Sequence, residues 1–138
     1  MNRPEEALQR IVVQFLWAAI PDCCWWTAIP NQRGTRKRYE NEILAAMGVR
    51  AGAPDLIFVW CGQLLGIELK SPTGRPSPAQ CETRSMILDA GGSYVICRDL
   101  DQVADALKVF GVPLKVEPIR RDGGAYAWVR IERAINDR

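Results

Sequence analysis

Two carboxylates and a lysine near the middle of the chain have the residue types and the spacing for phosphate chemistry. Asp55 follows a proline, and after twelve intervening residues come Glu68, Leu69 and Lys70. A magnesium ion held by one or two carboxylates keeps positions for water and a substrate phosphate. A lysine beside it can orient the attacking water or neutralise charge in the transition state. We therefore interpret Asp55, Glu68 and Lys70 as candidate active-site residues.

Each of these residues also has an ordinary structural interpretation. Asp55 could be a turn residue, and Glu68 with Lys70 could be an exposed ion pair worth under about 1 kcal/mol. An isolated Glu-x-Lys pattern favours that interpretation. The chain, however, places Pro-Asp, an apolar strand, a glycine turn and an alternating strand in order within nineteen residues. This combination favours an active site.

A β-hairpin is the element that must bring these residues together. The run after Asp55 is continuously apolar, which is typical of a strand covered on both faces, and the run ending at Lys70 alternates. A two-residue turn at Cys61-Gly62 then places Asp55 directly opposite Glu68. Like charges that face each other destabilise a sheet, and a divalent cation would compensate them.

The absence of histidine excludes several mechanisms. The chain has no histidine and five cysteines. Ser-His-Asp hydrolases, Cys-His proteases, HNH-type nucleases and histidine-ligated zinc enzymes all require an imidazole. The cysteines show neither a C-x-x-C pair nor zinc-site spacing, so we interpret them as free thiols. An enzyme built on this chain must use carboxylates, lysine, a bound metal, or a lone serine or cysteine.

Length and composition predict one globular domain over residues 1–138. The chain has 138 residues, of which 48% are apolar and 25% charged. No apolar run approaches the ~20 residues that span a bilayer, and the N-terminus lacks the apolar core of a signal peptide. We expect a cytoplasmic protein with no membrane partner.

A basic segment is a candidate for contact with phosphates. The net charge is only +2, but four cations fall within positions 33–38. The candidate DNA-binding residues are Asn31, Arg33, Arg36, Lys37 and Arg38. On charge alone a solvated loop is an equal alternative.

Apolar periodicity predicts the remaining elements. Helices are expected over residues 4–20, 39–47, 77–90 and 100–110, and strands within 23–29 and 93–98. Ser77 and Gln80 form a capping-box pattern at the start of the third helix. A parallel crossover would join the strand ending at Lys70, through this helix, to the strand at 93–98. A strand-like segment at 126–131 is interpreted either as an extra edge strand or as an oligomer contact.

The combined pattern resembles the PD-(D/E)xK nuclease superfamily, and within it the virus-type replication-repair nuclease (VRR-NUC) branch. The residues that carry the resemblance are Glu5-Glu6-Ala7-Leu8-Gln9, Gly52-Ala53-Pro54-Asp55-Leu56, Glu68-Leu69-Lys70, Ser77-Pro78-Ala79-Gln80 and the strand after Gly91-Gly92. The resemblance covers about residues 5–108 and leaves 112–138 as a C-terminal extension.

The resemblance implies a restriction-endonuclease-like α/β sandwich, with a central mixed sheet flanked by helices. It implies a DNA endonuclease that uses Mg²⁺ or Mn²⁺ held by Asp55, Glu68 and Glu5, with the backbone carbonyl of Leu69 completing the coordination. Lys70 would position the nucleophile, and Gln80 would support the site or serve only as a helix cap.

The choice of Glu5 over Glu6 is a physical one. Glu5 stacks with Leu8 on the inward stripe of the first helix, whereas Glu6 lies over Arg10 on the outer face. The alternative is that both acids only complement the helix dipole.

The resemblance further implies a homodimer acting on branched DNA such as Holliday junctions, encoded by a bacterium or a phage. Two other functions stay open. The first is a non-cleaving DNA-binding module that grips phosphates through residues 33–38, and the second is a metal-dependent hydrolase of another phosphodiester.

Overall fold

The computed structural model describes residues 3–30 and 38–131. Within them lie four helices, α1 (Arg3–Ala19), α2 (Arg38–Ala46), α3 (Pro78–Asp89) and α4 (Leu100–Phe110). The strands are β1 (Trp25–Ala28), β2 (Leu56–Trp60), β3 (Gln63–Leu69), β4 (Ser93–Cys97), β5 (Val116–Arg120) and β6 (Tyr126–Arg130). In these ranges no helix has the length and apolar character needed to cross a membrane.

The central sheet is mixed, with the strand order β1-β2-β3-β4. β2 pairs antiparallel with both β1 and β3, while β3 and β4 are parallel. The parallel pair, joined through α3, confirms the crossover that the sequence predicts. The predicted fold class, an α/β fold with a central mixed sheet and flanking helices, is likewise confirmed.

The β2–β3 hairpin has the predicted register. Trp60 pairs with Gln63, and the pairing continues to Leu56 opposite Ile67. Cys61 and Gly62 both have positive φ angles, 49° and 76°, as a type I′ turn requires. Continued by one pair beyond the end of β2, this register places Asp55 opposite Glu68.

One face of the sheet forms the hydrophobic core. The fully buried side chains on this face come from β2 and β3, and they pack against apolar residues of α1 and α4: Val12, Phe15, Leu16, Leu56, Phe58, Ile67, Leu69, Leu100, Val103 and Leu107. α3 lies over the opposite face, because it contacts β4 and sends a side chain to Glu68. The two carboxylates of the hairpin therefore face α3 and not the apolar core.

The expectation that β2 is covered on both faces is wrong. Ile57 is only half-buried and Val59 is 38% exposed, while Leu56 and Phe58 on the other face are buried. The physical reason is that α3 packs on β4. A continuous apolar run identifies a strand but not the position of the helix that would cover it.

The C-terminal strands β5 and β6 form a separate two-stranded sheet. Trp128 packs edge-on against Phe15 of α1 with ring centroids 5.9 Å apart, and the backbone N–H of Lys115 donates to the carbonyl of Ala19 at 2.8 Å. The strand-like segment at 126–131 is thus not an edge strand of the central sheet. Its partner β5 contains Pro118, and the sequence does not predict this strand because proline is unfavourable in strand interiors.

Candidate active site

The polar and charged side chains that are buried in residues 3–30 and 38–131 are Asp55, Glu68, Lys70 and Gln80. Asp55, Glu68 and Gln80 are each only 2% exposed, and Lys70 is 8% exposed. Burying such groups is unfavourable unless they contact one another or a ligand. Their concentration on one face of the hairpin therefore marks this region as a site.

The backbone of β3 holds the Asp55 carboxylate in place. Oδ2 of Asp55 accepts a hydrogen bond from the backbone N–H of Leu69 at 2.7 Å. The backbone carbonyl of Asp55 accepts from the N–H of Ile29 at 2.8 Å, which ties the residue to the chain beyond β1. Asp55 is thus fixed from both neighbouring strands, although it lies just outside β2.

The environment of Asp55 makes its ionised form costly. Burial raises the pKa of Asp55 above its usual range, and repulsion from Glu5 acts in the same direction. The Leu69 N–H, a hydrogen bond with the Glu68 side chain and attraction to Lys70 lower this pKa, but burial outweighs them. A cation near Asp55 would therefore be favourable.

An amide and an ammonium group from different parts of the chain contact Glu68. The side-chain amide of Gln80 donates from Nε2 to Oε1 of Glu68 at 2.5 Å. Nζ of Lys70 lies 3.6 Å from the same oxygen. The hairpin and α3 together therefore orient this carboxylate.

Gln80 is both a helix cap and a contact of the site. Ser77 is the N-cap of α3, and its hydroxyl accepts from the backbone N–H of Gln80 at 3.2 Å. The amide oxygen of Gln80 accepts from the backbone N–H of Ser77 at 2.8 Å, which completes the predicted capping box. Its amide nitrogen is then directed to Glu68, so the two interpretations of Gln80 are compatible.

Gly52 sets the distance between the Asp55 segment and α3. Its φ angle is +79°, and a Cβ atom at this position would overlap the carbonyl oxygen of Ala79 and lie 2.8 Å from the backbone nitrogen of Gln80. Only glycine tolerates both the backbone conformation and this close approach. The glycine of the Gly-Ala-Pro-Asp segment therefore lets the start of α3 reach the site.

Glu5 points to the loop that follows Lys70, beside the site, whereas Glu6 points away from it. Glu6 is exposed, and its Oε1 lies 2.9 Å from Nη2 of Arg10. Glu5 is half-buried, and its carboxylate lies so close to Gly74 that a Cβ atom there would be 3.3 Å from Oε1. The helical-wheel argument thus predicts the orientation of the two glutamates.

Sequence reasoning missed Arg98, which organises the loop that follows Lys70. Nη1 of Arg98 donates to the carbonyl oxygens of Ser71 at 2.6 Å and Gly74 at 2.7 Å. Because Cys97 pairs with Leu69, Arg98 follows β4 at the point where the chain leaves β3. No pattern in the sequence signals a side chain that bonds to loop carbonyls.

Most of the predicted DNA-binding residues lie outside the part of the chain that the structure describes. These are Asn31, Arg33, Arg36 and Lys37. Arg38 is the first residue of α2.

The donor set fits a divalent metal with few protein ligands. Among the described residues, no three Asp, Glu, Cys or His side chains form a group that could hold a metal ion. Asp55 and Glu68 face each other as a pair, while Glu5 lies to one side against Gly74. One or two carboxylates are the usual protein contribution to a magnesium site in phosphoryl-transfer enzymes.

Comparisons with known proteins bear on the fold. No family model matches the chain, and no significant match occurs among curated proteins. A solved structure described as a VRR_NUC domain protein has a TM-score of 0.62 and 23% identity, covering 80% of this chain and 90% of its own. Another, described as a VRR_NUC domain, has a TM-score of 0.51 and 16% identity, covering 78% and 97%. The chain therefore has the fold of VRR-NUC domain proteins.

Proposed function

We propose that this chain is a VRR-NUC-type endonuclease that hydrolyses phosphodiester bonds of DNA with Mg²⁺ or Mn²⁺. The observation that carries the proposal is the buried cluster of Asp55, Glu68, Lys70 and Gln80. A cluster with this composition, on a fold shared with VRR_NUC proteins, is suited to metal-assisted phosphoryl transfer.

The metal would be held by Asp55 and Glu68, with Glu5 as an additional acidic ligand and the carbonyl of Leu69 completing the set. The hydrogen bond from the Leu69 N–H to Oδ2 of Asp55 at 2.7 Å supports the role of Leu69, because it places the backbone of this residue beside the Asp55 carboxylate. A bound divalent ion supplies a lowered pKa for water and neutralises charge on the phosphate.

The remaining residues orient the reacting groups. Lys70, whose ammonium lies 3.6 Å from Glu68, positions the attacking water and stabilises negative charge that develops on the phosphate. Gln80 holds the Glu68 carboxylate in one orientation through its amide. Their burial excludes bulk water and strengthens these electrostatic interactions.

The substrate preference and the assembly follow from the resemblance alone. The protein is proposed to form a homodimer that prefers branched DNA. The basic residues of positions 31–38 would contact the DNA phosphates. Light scattering would measure the subunit number, and cleavage of four-way junctions, flaps and plain duplex in parallel would measure the preference.

The central test is DNA cleavage by variants that preserve shape. Asp55→Asn, Glu68→Gln and Lys70→Met are each expected to abolish cleavage in Mg²⁺ or Mn²⁺ while circular dichroism stays that of the wild type. The matched controls Asp101→Ala, Glu117→Ala and Lys108→Ala change residues of the same three types that lie outside the buried cluster, with side chains less than half exposed, and should cleave normally.

Two results would contradict the proposed nuclease activity. Full activity in excess EDTA would exclude the metal, and activity in any of the three site variants would exclude the assigned residues. Salt-sensitive DNA binding with no product in any metal would instead identify a non-cleaving binding module. Cleavage of other phosphodiesters but not of DNA would identify a different hydrolase.

A further inference from the structure

The hydroxyl of Tyr94 is a buried polar group outside the cluster of Asp55, Glu68, Lys70 and Gln80. It is inaccessible to solvent, and no group in residues 3–30 or 38–131 forms a hydrogen bond with it. Tyr94 lies in β4 opposite Gly66. Its ring shares the space that Gly66 leaves with the side chain of Pro54, since a Cβ atom on this glycine would be 3.0 Å from Cγ of Pro54 and 3.4 Å from Cδ2 of the ring.

Packing explains why position 94 carries an aromatic ring, but it does not explain why this ring carries a hydroxyl group. A phenylalanine would fill the same space beside Gly66 without burying an oxygen. A buried hydroxyl that lacks a hydrogen bond is unfavourable, because folding removes it from water without replacing the lost interaction. A tyrosine at this position therefore indicates a partner that the described residues do not supply.

The surroundings of the hydroxyl indicate what that partner is. The pairing of Tyr94 with Gly66 and of Ile96 with Glu68 puts Tyr94 on the same face of the sheet as Glu68, one pleat away. Burial raises the pKa of Tyr94, and repulsion from Glu68 and then from Asp55 raises it further. The hydroxyl therefore lies near both carboxylates, and a phenol hydroxyl can donate a hydrogen bond to a carboxylate.

We propose that Tyr94 is a positioning residue whose hydroxyl donates a hydrogen bond to the Glu68 carboxylate when a divalent ion is bound. This inference rests on the proposed function. Gln80 and Lys70 both approach Oε1 of Glu68, from α3 and from β3. Tyr94 adds a donor from β4, so that three elements orient one ligand. Outer hydrogen bonds of this kind fix the orientation of metal ligands.

The test uses Tyr94→Phe in the full chain, with Mn²⁺ binding measured by calorimetry in the absence of DNA. The dissociation constant for Mn²⁺ is expected to rise by about 10-fold or more, which is typical of the loss of an outer partner of a metal ligand. The melting temperature in EDTA should be unchanged or higher, because an unfavourable buried hydroxyl is removed. In cleavage, the Mn²⁺ concentration for half-maximal rate should rise by the same factor, with kcat at saturating Mn²⁺ close to that of the wild type.

The matched control is Tyr126→Phe. The Tyr126 hydroxyl accepts from Nη2 of Arg120 at 2.8 Å and donates to Oδ2 of Asp101 at 3.4 Å, on the C-terminal hairpin. This variant should lower the melting temperature and leave Mn²⁺ binding unchanged. The two Tyr→Phe substitutions are thus expected to have opposite signatures.

Wild-type Mn²⁺ affinity in Tyr94→Phe would overturn the positioning role while leaving the nuclease intact. A melting temperature in EDTA that falls as far as that of Tyr126→Phe would also overturn it, because the hydroxyl would then have a structural partner. If the wild-type protein itself binds no Mn²⁺, the proposed function fails and the inference fails with it.

Discussion

The side-chain amide of Gln80 connects the start of α3 to the carboxylate of Glu68. Its oxygen accepts from the backbone N–H of Ser77 at 2.8 Å, and its nitrogen lies 2.5 Å from Oε1 of Glu68. Because the oxygen is engaged in the helix cap, the amide cannot rotate by 180° without losing both bonds. The helix cap therefore determines that the amide nitrogen of Gln80, and not its oxygen, contacts Glu68.

Replacement of Ser77 and of Gln80 should separate capping from support of the site. Ser77→Ala removes a cap and is expected to lower the free energy of unfolding by about 1 kcal/mol with little effect on cleavage. Gln80→Ala also removes a hydrogen bond to a carboxylate, which is expected to cost a further ~1–3 kcal/mol. Its cleavage rate should fall by about 10-fold or more. Urea denaturation measures the stability of both variants, and a cleavage assay measures their rates. Equal cleavage rates for Ser77→Ala and Gln80→Ala would show that the contact of Gln80 with Glu68 has no functional role.

The buried Asp55 predicts an unusual pH dependence of stability without metal. Its pKa is raised in the folded protein, mainly by burial, so this residue stabilises the fold only while it is protonated. This contribution is complete below the unfolded pKa of about 3.9 and is lost as the pH rises through the raised folded value. In EDTA, the wild type should therefore lose stability relative to Asp55→Asn over that pH range.

Urea denaturation of both proteins at a series of pH values measures this difference. Asn retains an oxygen that can accept from the Leu69 N–H, so the variant changes mainly the charge. Addition of Mn²⁺ at neutral pH should stabilise the wild type much more than Asp55→Asn. A constant stability difference between the two proteins from acid to neutral pH would contradict the raised pKa.

Gly52→Ala tests the close approach between the Asp55 segment and α3. The new Cβ would overlap the carbonyl of Ala79 in a backbone conformation with φ of +79°. Gly48→Ala is the matched control, because Gly48 has a φ of +90° and no heavy atom lies within 4 Å of the place a Cβ would take there. Gly52→Ala should be the more destabilising by about 1–3 kcal/mol, the usual cost of overpacking. Equal losses in chemical denaturation would show that α3 shifts freely.

Arg98→Ala tests the loop after Lys70. Loss of the hydrogen bonds to Ser71 and Gly74 is expected to cost about 1.5–3 kcal/mol, since the donor is charged. Amide hydrogen exchange in residues 71–74 should accelerate. Arg10→Ala removes an exposed ion pair with Glu6 and should change stability by at most about 0.5 kcal/mol. Unchanged exchange in Arg98→Ala would mean that the loop is held by other contacts.

Much of the site could be predicted because local chemistry determines it. The turn at Cys61-Gly62 has a length and glycine content that permit one register, and alternation in β3 selects the face that carries Glu68. The orientation of Glu5 follows from helical periodicity alone. These features depend on residues close together in sequence, so that pattern and structure agree.

The parts that could not be predicted depend on contacts between distant elements. The exposed face of β2 reflects where α3 lies, and the loop contacts of Arg98 reflect the parallel pairing of β3 with β4. The position of the Tyr94 ring reflects its packing, together with Pro54, at Gly66. β5 was missed because Pro118 opposes a strand assignment. None of these contacts leaves a periodic signal in the sequence.

The two-residue β2–β3 turn lies six residues from Asp55, or roughly 20 Å along an extended strand. Yet its length decides on which side of the sheet the acid projects. A single inserted residue there would shift the pairing of β2 with β3 by one position, so that Asp55 or Glu68 would point into the hydrophobic core on the other face of the sheet. An insertion or deletion far from any reacting atom would thus disable the proposed enzyme as surely as the loss of a metal ligand.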